Sequence, residues 1–275
     1  MAGLLRRIKR TVKFSPVWPI LRPRRFHGYN LGAGRTGTTW ISEVFSENYR
    51  SAHEEQSLET IKLIESRWKG EISESVVRRR LRTRDRKRRL HFESTNFLVY
   101  LCDHLVEIFP DAKFICTVRS PGSWLRSNID QCLNNPRDRL AESADHYRRL
   151  RDLNYGAPPD EYPPEEAPLA EHNLHSLSGF LEYWSWHYER VLDEVPKDRL
   201  LILKTEELDT ALPRIARFMD VSRRSLSRPK RANVSSEDHG ILDPIDEKYI
   251  DKKTQKICGK VMEKVNKLNG QIYYD

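Results

Sequence analysis

The residues from Phe26 to Trp40, near the start of the chain, limit what the rest can fold into. An apolar-leaning run from Phe26 to Leu31 reads as a short strand. Gly32, Gly34 and Gly37 follow, and then Thr38, Thr39, Trp40 and Ile41 open a helical pattern. Strand, glycine turn and helix start together make an anion site. Glycine lets the backbone take a positive φ and approach a ligand closely. The first N–H groups of a helix have no intrahelical partner and point at whatever sits in the turn. The ligand expected there is a phosphate.

Three patterns compete for this turn. Gly32 and Gly37 have Walker A spacing, but Thr38 stands where that pattern requires Lys. With no acidic Mg²⁺ ligand evident on a later strand, ordinary ATP or GTP hydrolysis is disfavoured. Gly32, Gly34 and Gly37 also satisfy G-x-G-x-x-G. Glu54 and Glu55 then lie roughly 20 residues downstream, where a ribose-binding acid belongs. On that pattern the chain is a dinucleotide-binding oxidoreductase. The third pattern uses the cation ahead of the last glycine, in the run Arg35, Thr36, Gly37, Thr38, Thr39, Trp40. This run resembles the 5′-phosphosulfate loop of the sulfotransferases that use 3′-phosphoadenosine-5′-phosphosulfate (PAPS), in which Lys or Arg precedes Ser/Thr-Gly-Thr-Thr.

A second stretch separates the three. Ala112 to Val118 is an apolar run of strand-forming residues that leads into Arg119. Pro121 suits the first turn of a helix, so Arg119 falls at a strand's carboxyl end and Ser127 about two turns into the helix. An Arg-x-Pro followed by a Ser eight residues after the Arg is similar to the element with which the same family grips the 3′-phosphate. The two motifs in this order favour a PAPS-dependent sulfotransferase over the oxidoreductase. A non-catalytic nucleotide-binding protein that keeps the fold is the other alternative.

The resemblance covers residues 26–56, 112–130 and a stretch within 199–235. It implies that Arg35 contacts the 5′-phosphosulfate and stabilises charge on the oxygen that leaves. It implies that the N–H groups of Gly37, Thr38 and Thr39, with the hydroxyls of Thr36, Thr38 and Thr39, hold the phosphate. Trp40 matches the position that stacks on adenine in cytosolic members, the alternative being core packing. Lys230 and Arg231 stand where the family's C-terminal basic loop covers the 3′-phosphate, although the Arg-Lys-Gly form is absent. Fixed cations and N–H groups supply the charge stabilisation, so no metal is expected. The base implied is Glu54 or Glu55, at the end of a second strand, and the His-Glu order of residues 53 and 54 looks like the bacterial branches and favours Glu54. Glu55 has a plainer reading as a helix N-terminal carboxylate. His91 is the rival base, since cytosolic members use a His on an intervening strand, but the family's Thr-His-Leu-Pro context is missing.

The chain has 275 residues and a formal charge of +8, with basic runs at 6–13, 22–25 and 78–89. Excess positive charge suits anionic partners. These runs read as a solvated helical face with a basic arm, or as contacts with an anionic acceptor or a membrane surface. Nucleic acid is disfavoured, because no aromatic interleaving or nucleic-acid motif accompanies them. The four cysteines show no paired spacing, which argues against a disulfide framework and for a reducing compartment. No apolar run approaches the ~20 residues that span a bilayer, and the basic N-terminus lacks a long apolar core. The expectation is a soluble, cytoplasmic protein.

Strands alternating with helices predict an α/β, three-layer P-loop-like fold, a mostly parallel central sheet flanked by helices, with ligands at the strands' carboxyl ends. Residues 1–25 read as a basic N-terminal arm and 26–275 as one domain. Within it, 134–171 reads as an irregular insertion, because prolines and glycine interrupt any periodic pattern. The helix from Leu174 to Val195 carries Phe180, Tyr183, Trp184, Trp186, His187 and Tyr188, read chiefly as core. The acceptor, a hydroxyl-bearing or amino-bearing carbohydrate, lipid or small molecule, would be held by 56–97 and 134–187, where no motif points to a substrate.

Overall fold

The computed structural model describes residues 23–134, 144–229 and 239–271. Five strands form one sheet in the order β2-β3-β1-β4-β5: β1 Gly28–Asn30, β2 Ser51–His53, β3 Phe92–Ser94, β4 Lys113–Val118 and β5 Leu200–Lys204. Every neighbouring pair runs parallel, with Gly28 opposite both Phe92 and Lys113, and Ser51 opposite Phe92. The sequence expectation of a mostly parallel sheet therefore holds, and the strands are shorter than the apolar runs that announced them.

Burial shows why helices cover both faces. Side chains alternate across a strand. Phe114, Cys116 and Val118 of β4 and Leu200 and Ile202 of β5 enter one apolar cluster, whereas Ile115, Leu201 and Leu203 enter a second. Helix α1 (Thr38–Phe45) and helix α9 (Leu212–Met219) cover the second face. The first face takes α2 (Ser57–Trp68), α3 (Glu74–Arg88), α4 (Cys102–Ile108), α5 (Pro121–Leu133), α8 (Leu177–Glu194) and α10 (Glu247–Gln271). The three-layer α/β expectation is met.

Two differences from the sequence reading have local causes. Residues 134–171 are not irregular throughout: Ala144–Tyr155 is a helix, α6, and Ala167–Glu171 a short one, α7. Helix α6 buries Leu150 and Tyr155, and the Tyr155 ring packs on Phe180 of α8 at 4.7 Å. Phe97 to Phe109, which with Pro110 as its stop reads from the sequence as one helix, is instead a 3-10 turn, Asn96–Leu101, running into α4. The basic run of 78–89 lies on α3, whose buried residues are Val77 and Leu81, a narrow stripe at i and i+4. Residues 1–22, which hold most of the expected basic arm, lie outside the described residues. Among the described residues no helix is long and apolar enough to cross a membrane, and the four cysteines are free thiols.

Candidate active site

The glycine turn leaves β1 at the carboxyl edge of the sheet, and polar side chains beneath it fix its path. Asn30 is fully buried. Its Oδ1 accepts from Gly32 N at 3.4 Å and from Thr117 N at 3.3 Å, while its Nδ2 donates to Ser94 Oγ at 3.0 Å. Ser94 Oγ in turn donates to Thr38 O at 2.7 Å. One asparagine thus ties β1, β3 and β4 to the loop and to the start of α1. Thr36, also fully buried, donates to Ala33 O at 2.6 Å, and its hydroxyl lies 2.8 Å from Thr117 Oγ1. Thr205, just after β5, donates to Thr36 O at 3.1 Å.

Two glycines are dictated by this packing. A Cβ on Gly32 would stand 2.0 Å from Thr117 Oγ1, and Gly37 takes φ 96° as the left-handed residue that precedes α1. Gly34 is different. Its φ lies outside the left-handed region, and a Cβ there would meet nothing nearer than Asn96 Nδ2 at 3.7 Å. The G-x-G-x-x-G pattern therefore lacks a physical requirement at its middle glycine.

Arg35, with φ 68°, leaves the loop toward α5. Its Nε donates to Ser127 Oγ at 3.1 Å and its Nη1 to Gln131 Oε1 at 3.0 Å. Ser127 and Gln131 are one turn apart on α5 and so share a face. Arg119 follows β4, is half-buried, and donates from Nε to Ser123 Oγ at 2.8 Å. Its carbonyl accepts from Trp184 Nε1 at 3.1 Å, and Trp124 Nε1 reaches Gly34 O at 2.9 Å. Indoles from α5 and α8 thus hold both turns.

Burial lowers the pKa of Arg35, and the charge of Arg119 lowers it further, with Asp130 opposing. Burial lowers that of Arg119 too. Both stay protonated, but their surroundings disfavour the charge, and a polyanion set between them would relieve that.

On the other side of the loop, β2 ends on His53 and turns through Glu54 and Glu55. Glu54 and Gln56 both take left-handed backbone, at φ 52° and 55°. Glu54 N donates to Ser94 O at 2.9 Å, and Ser57 Oγ donates to Glu54 O at 2.6 Å. The Glu55 carboxylate pairs with Arg88. Arg84 spans Glu93 with both terminal nitrogens and donates from Nη2 to Glu55 O at 2.7 Å. Two arginines of the basic run therefore clamp this turn from outside and are not part of a solvated face. Glu54 is oriented differently: a carboxylate oxygen lies 4.0 Å from His53 Nε2, which lies 3.1 Å from Thr38 Oγ1.

Two expected residues, His91 and Trp40, fall elsewhere. His91 precedes β3 at the opposite, amino edge of the sheet. It is buried, accepts from Arg50 N on Nδ1 at 3.2 Å, and packs on Phe26 and Tyr49 at 5.5 Å each. Burial and the charge of Arg24 lower its pKa to about 4. It is a structural histidine set apart from Arg35. Trp40 is 3% exposed and belongs to the apolar cluster with Val44, Phe45 and Leu208, so it fills the core and offers no open face for adenine. Lys230 and Arg231 lie outside the described residues. The residues brought together are Arg35, Thr36, Gly37, Thr38 and Thr39 on the loop, Arg119 and Ser127 on one side, and Glu54 on the other.

Sequence reasoning missed the roles of Asn30, Gln131 and His53, and its reading of His187 as core holds. His187, fully buried on α8, meets Leu31 O from Nε2 at 2.7 Å and Tyr183 Oη from Nδ1 at 3.2 Å, and burial lowers its pKa to about 4. An asparagine in an apolar strand was a usable signal, since strands disfavour it. A separate cleft of about 650 Å³ lies within the two stretches expected to hold an acceptor and beyond, with Trp68, Tyr100, Asn154, Tyr183, Trp186 and Arg190 among its walls. No residue of the glycine turn lines it.

The sheet order and the turn define an α/β protein of P-loop-like architecture. The family model described as sulfotransferase domain matches residues 30–223, well over half of the chain, and the chain belongs to that family. Among solved structures, one similar to it is a sulfotransferase from Alicyclobacillus acidocaldarius. That structure is 14% identical, with the match covering 90% of this chain and 96% of the other at a TM-score of 0.46. No curated protein matches the sequence.

Proposed function

We propose that the protein transfers the sulfuryl group of PAPS to a hydroxyl, or less often an amino group, of an acceptor. The observation that carries this reading is the meeting of two motifs far apart in sequence: Arg35 bonds Ser127 at 3.1 Å, and the charge of Arg119 is felt at Arg35. Arg35 and the N–H groups of Gly37, Thr38 and Thr39 take the 5′-phosphosulfate. Arg119 and Ser127 take the 3′-phosphate.

Glu54 is the base. As the acceptor oxygen bonds to sulfur, the bond from sulfur to the phosphate oxygen breaks and its electron pair stays on adenosine 3′,5′-bisphosphate. The acceptor proton passes to the Glu54 carboxylate. Arg35 and the helix N–H groups stabilise the charge that develops on the leaving phosphate, an effect that needs fixed donors rather than mobile ones. Glu55 is a poorer candidate because Arg88 and Arg84 already hold it.

Two experiments test the reading. Titration with adenosine 3′,5′-bisphosphate and with NAD should show binding of the first alone. Transfer of labelled sulfate from PAPS to a panel of sugar, lipid and phenol acceptors should then identify the acceptor class. Binding of NAD alone would overturn the reading. Glu54→Gln should lose turnover and keep affinity for the bisphosphate, and full activity in that variant would shift the base to another residue.

A further inference from the structure

A histidine does stand at the glycine turn, but it is on β2 and not on β3. His53 Nε2 lies 3.1 Å from Thr38 Oγ1, 3.5 Å from Thr39 Oγ1 and 4.0 Å from a Glu54 carboxylate oxygen. Thr38 and Thr39 are the first two residues of α1, so their hydroxyls flank the N–H groups that open onto the turn. A threonine hydroxyl has one hydrogen and two lone pairs. When the imidazole accepts that hydrogen, the oxygen presents lone pairs to the turn and repels an anion. When the imidazole donates to the oxygen, the hydroxyl hydrogen is released toward the turn and can bond the anion. An anion bound there selects the second arrangement; the neutral Nε2–H tautomer can supply it, and an imidazolium supplies it while also placing a positive charge beside the anion.

The surroundings suit that charge. Glu54 is the next residue on the same segment, Thr38 and Thr39 face the ring from α1, and Ser94 of β3 lies opposite His53 in the strand register. Of these, Glu54 carries the one charge, and it is negative. The imidazole is partly open to solvent, with 28% of its side-chain surface exposed, so a proton can reach it.

We propose that His53 is a positioning residue of the donor site: it is protonated when phosphate or sulfate binds, and its Nε2–H then turns the hydroxyl of Thr38, the nearer of the two, into a donor for that anion. The proposal rests on the donor reading above. Donor binding and proton binding to His53 are then reciprocally coupled. His53 holds its proton more tightly in the complex than in the free protein. Donor affinity is therefore complete below the pKa of the free protein and is lost as pH rises through the pKa of the complex.

Calorimetric titration of the full chain with adenosine 3′,5′-bisphosphate, at pH 6 and pH 8 and in buffers of differing ionisation heat, tests this without any acceptor. The wild type should take up protons on binding and bind roughly tenfold more weakly at pH 8, the scale of one charge-assisted hydrogen bond. The ligand's own phosphates titrate near pH 6, so the reading is the difference from His53→Gln. Glutamine keeps an amide donor for Thr38 but takes no proton. That variant should bind with a smaller proton uptake and a flatter pH dependence; a purely structural role for His53 would leave both unchanged and would overturn the proposal. The histidine C–H resonances of the wild-type protein give a check that needs no variant. One titration midpoint should move upward when the bisphosphate is added, and midpoints that all stay in place would contradict it. A wild-type protein that does not bind the bisphosphate at all would overturn the donor reading itself.

Discussion

Four arginines of this protein, in two pairs, sit in similarly sheltered places and are shifted in opposite ways or put to opposite uses. Arg84 and Arg88 on α3 lie against the carboxylates of Glu93 and Glu55, and Glu93 raises the pKa of Arg84 against the cost of burial. Arg35 and Arg119 have theirs lowered by burial, and Arg35 is lowered further by its neighbour's charge. Arg84 and Arg88 hold the Glu54–Glu55 turn in place, so the structure already uses their charge. Arg35 and Arg119 donate to neutral oxygens of Ser127, Gln131 and Ser123, and the charge of Arg119 opposes that of Arg35. Electrostatics of the second kind would favour a bound anion, which is what makes this pair a candidate site.

Removing members of each pair should separate the two uses. The largest effect is expected for Arg84→Ala, which leaves the buried Glu93 carboxylate without its partner and should cost about 3–5 kcal/mol of stability in urea unfolding. Arg35→Ala should leave the unfolding midpoint unchanged or slightly higher, since a like-charge contact is relieved. Its turnover should fall by roughly 10²–10³-fold, the range for removing one donor to a developing oxyanion. An Arg35 variant that unfolds as readily as the Arg84 variant would erase the distinction. Arg119→Ala should weaken adenosine 3′,5′-bisphosphate by about 2 kcal/mol with little change in stability, as expected for lost charge-assisted bonds.

A smaller effect concerns pH. His91 and His187 are buried, and each has a pKa lowered from 6.5 to about 4. Between those values the unfolded chain binds protons that the native protein refuses, so stability is complete above 6.5 and declines as pH falls toward 4. A urea midpoint that stayed level or rose over that interval would contradict the neutral, structural role given to both histidines.

Much of this was legible in the sequence. The apolar runs Ala112–Val118 and Arg199–Leu203 mark strands buried on both faces, and the glycine turn and Arg119–Ser127 element point to the strand ends of the candidate site. What could not be read depends on direction rather than type. His53 and His91 both lie at the ends of short strands of one parallel sheet, but one closes its strand and the other precedes it, which sends them to opposite edges. Periodicity does not reveal which strands are neighbours, and so it could not rank the two. Helix α6 was hidden because its apolar stripe is thin, Leu150 and Tyr155, and prolines follow it closely. The basic run looked solvated because nothing in a linear reading pairs Arg84 with Glu93 across the fold. A glutamate inside a buried strand was the one hint that a cation must come to meet it.

The account stands most directly on one titration, that of adenosine 3′,5′-bisphosphate against the wild type, Arg35→Ala, Arg119→Ala and the double variant. If both guanidiniums serve one nucleotide, each single variant binds more weakly, and the double loses a different amount from the sum of the two, because residues that share a ligand couple. If neither substitution changes the affinity, the two turns do not share an anion and the site is wrongly placed.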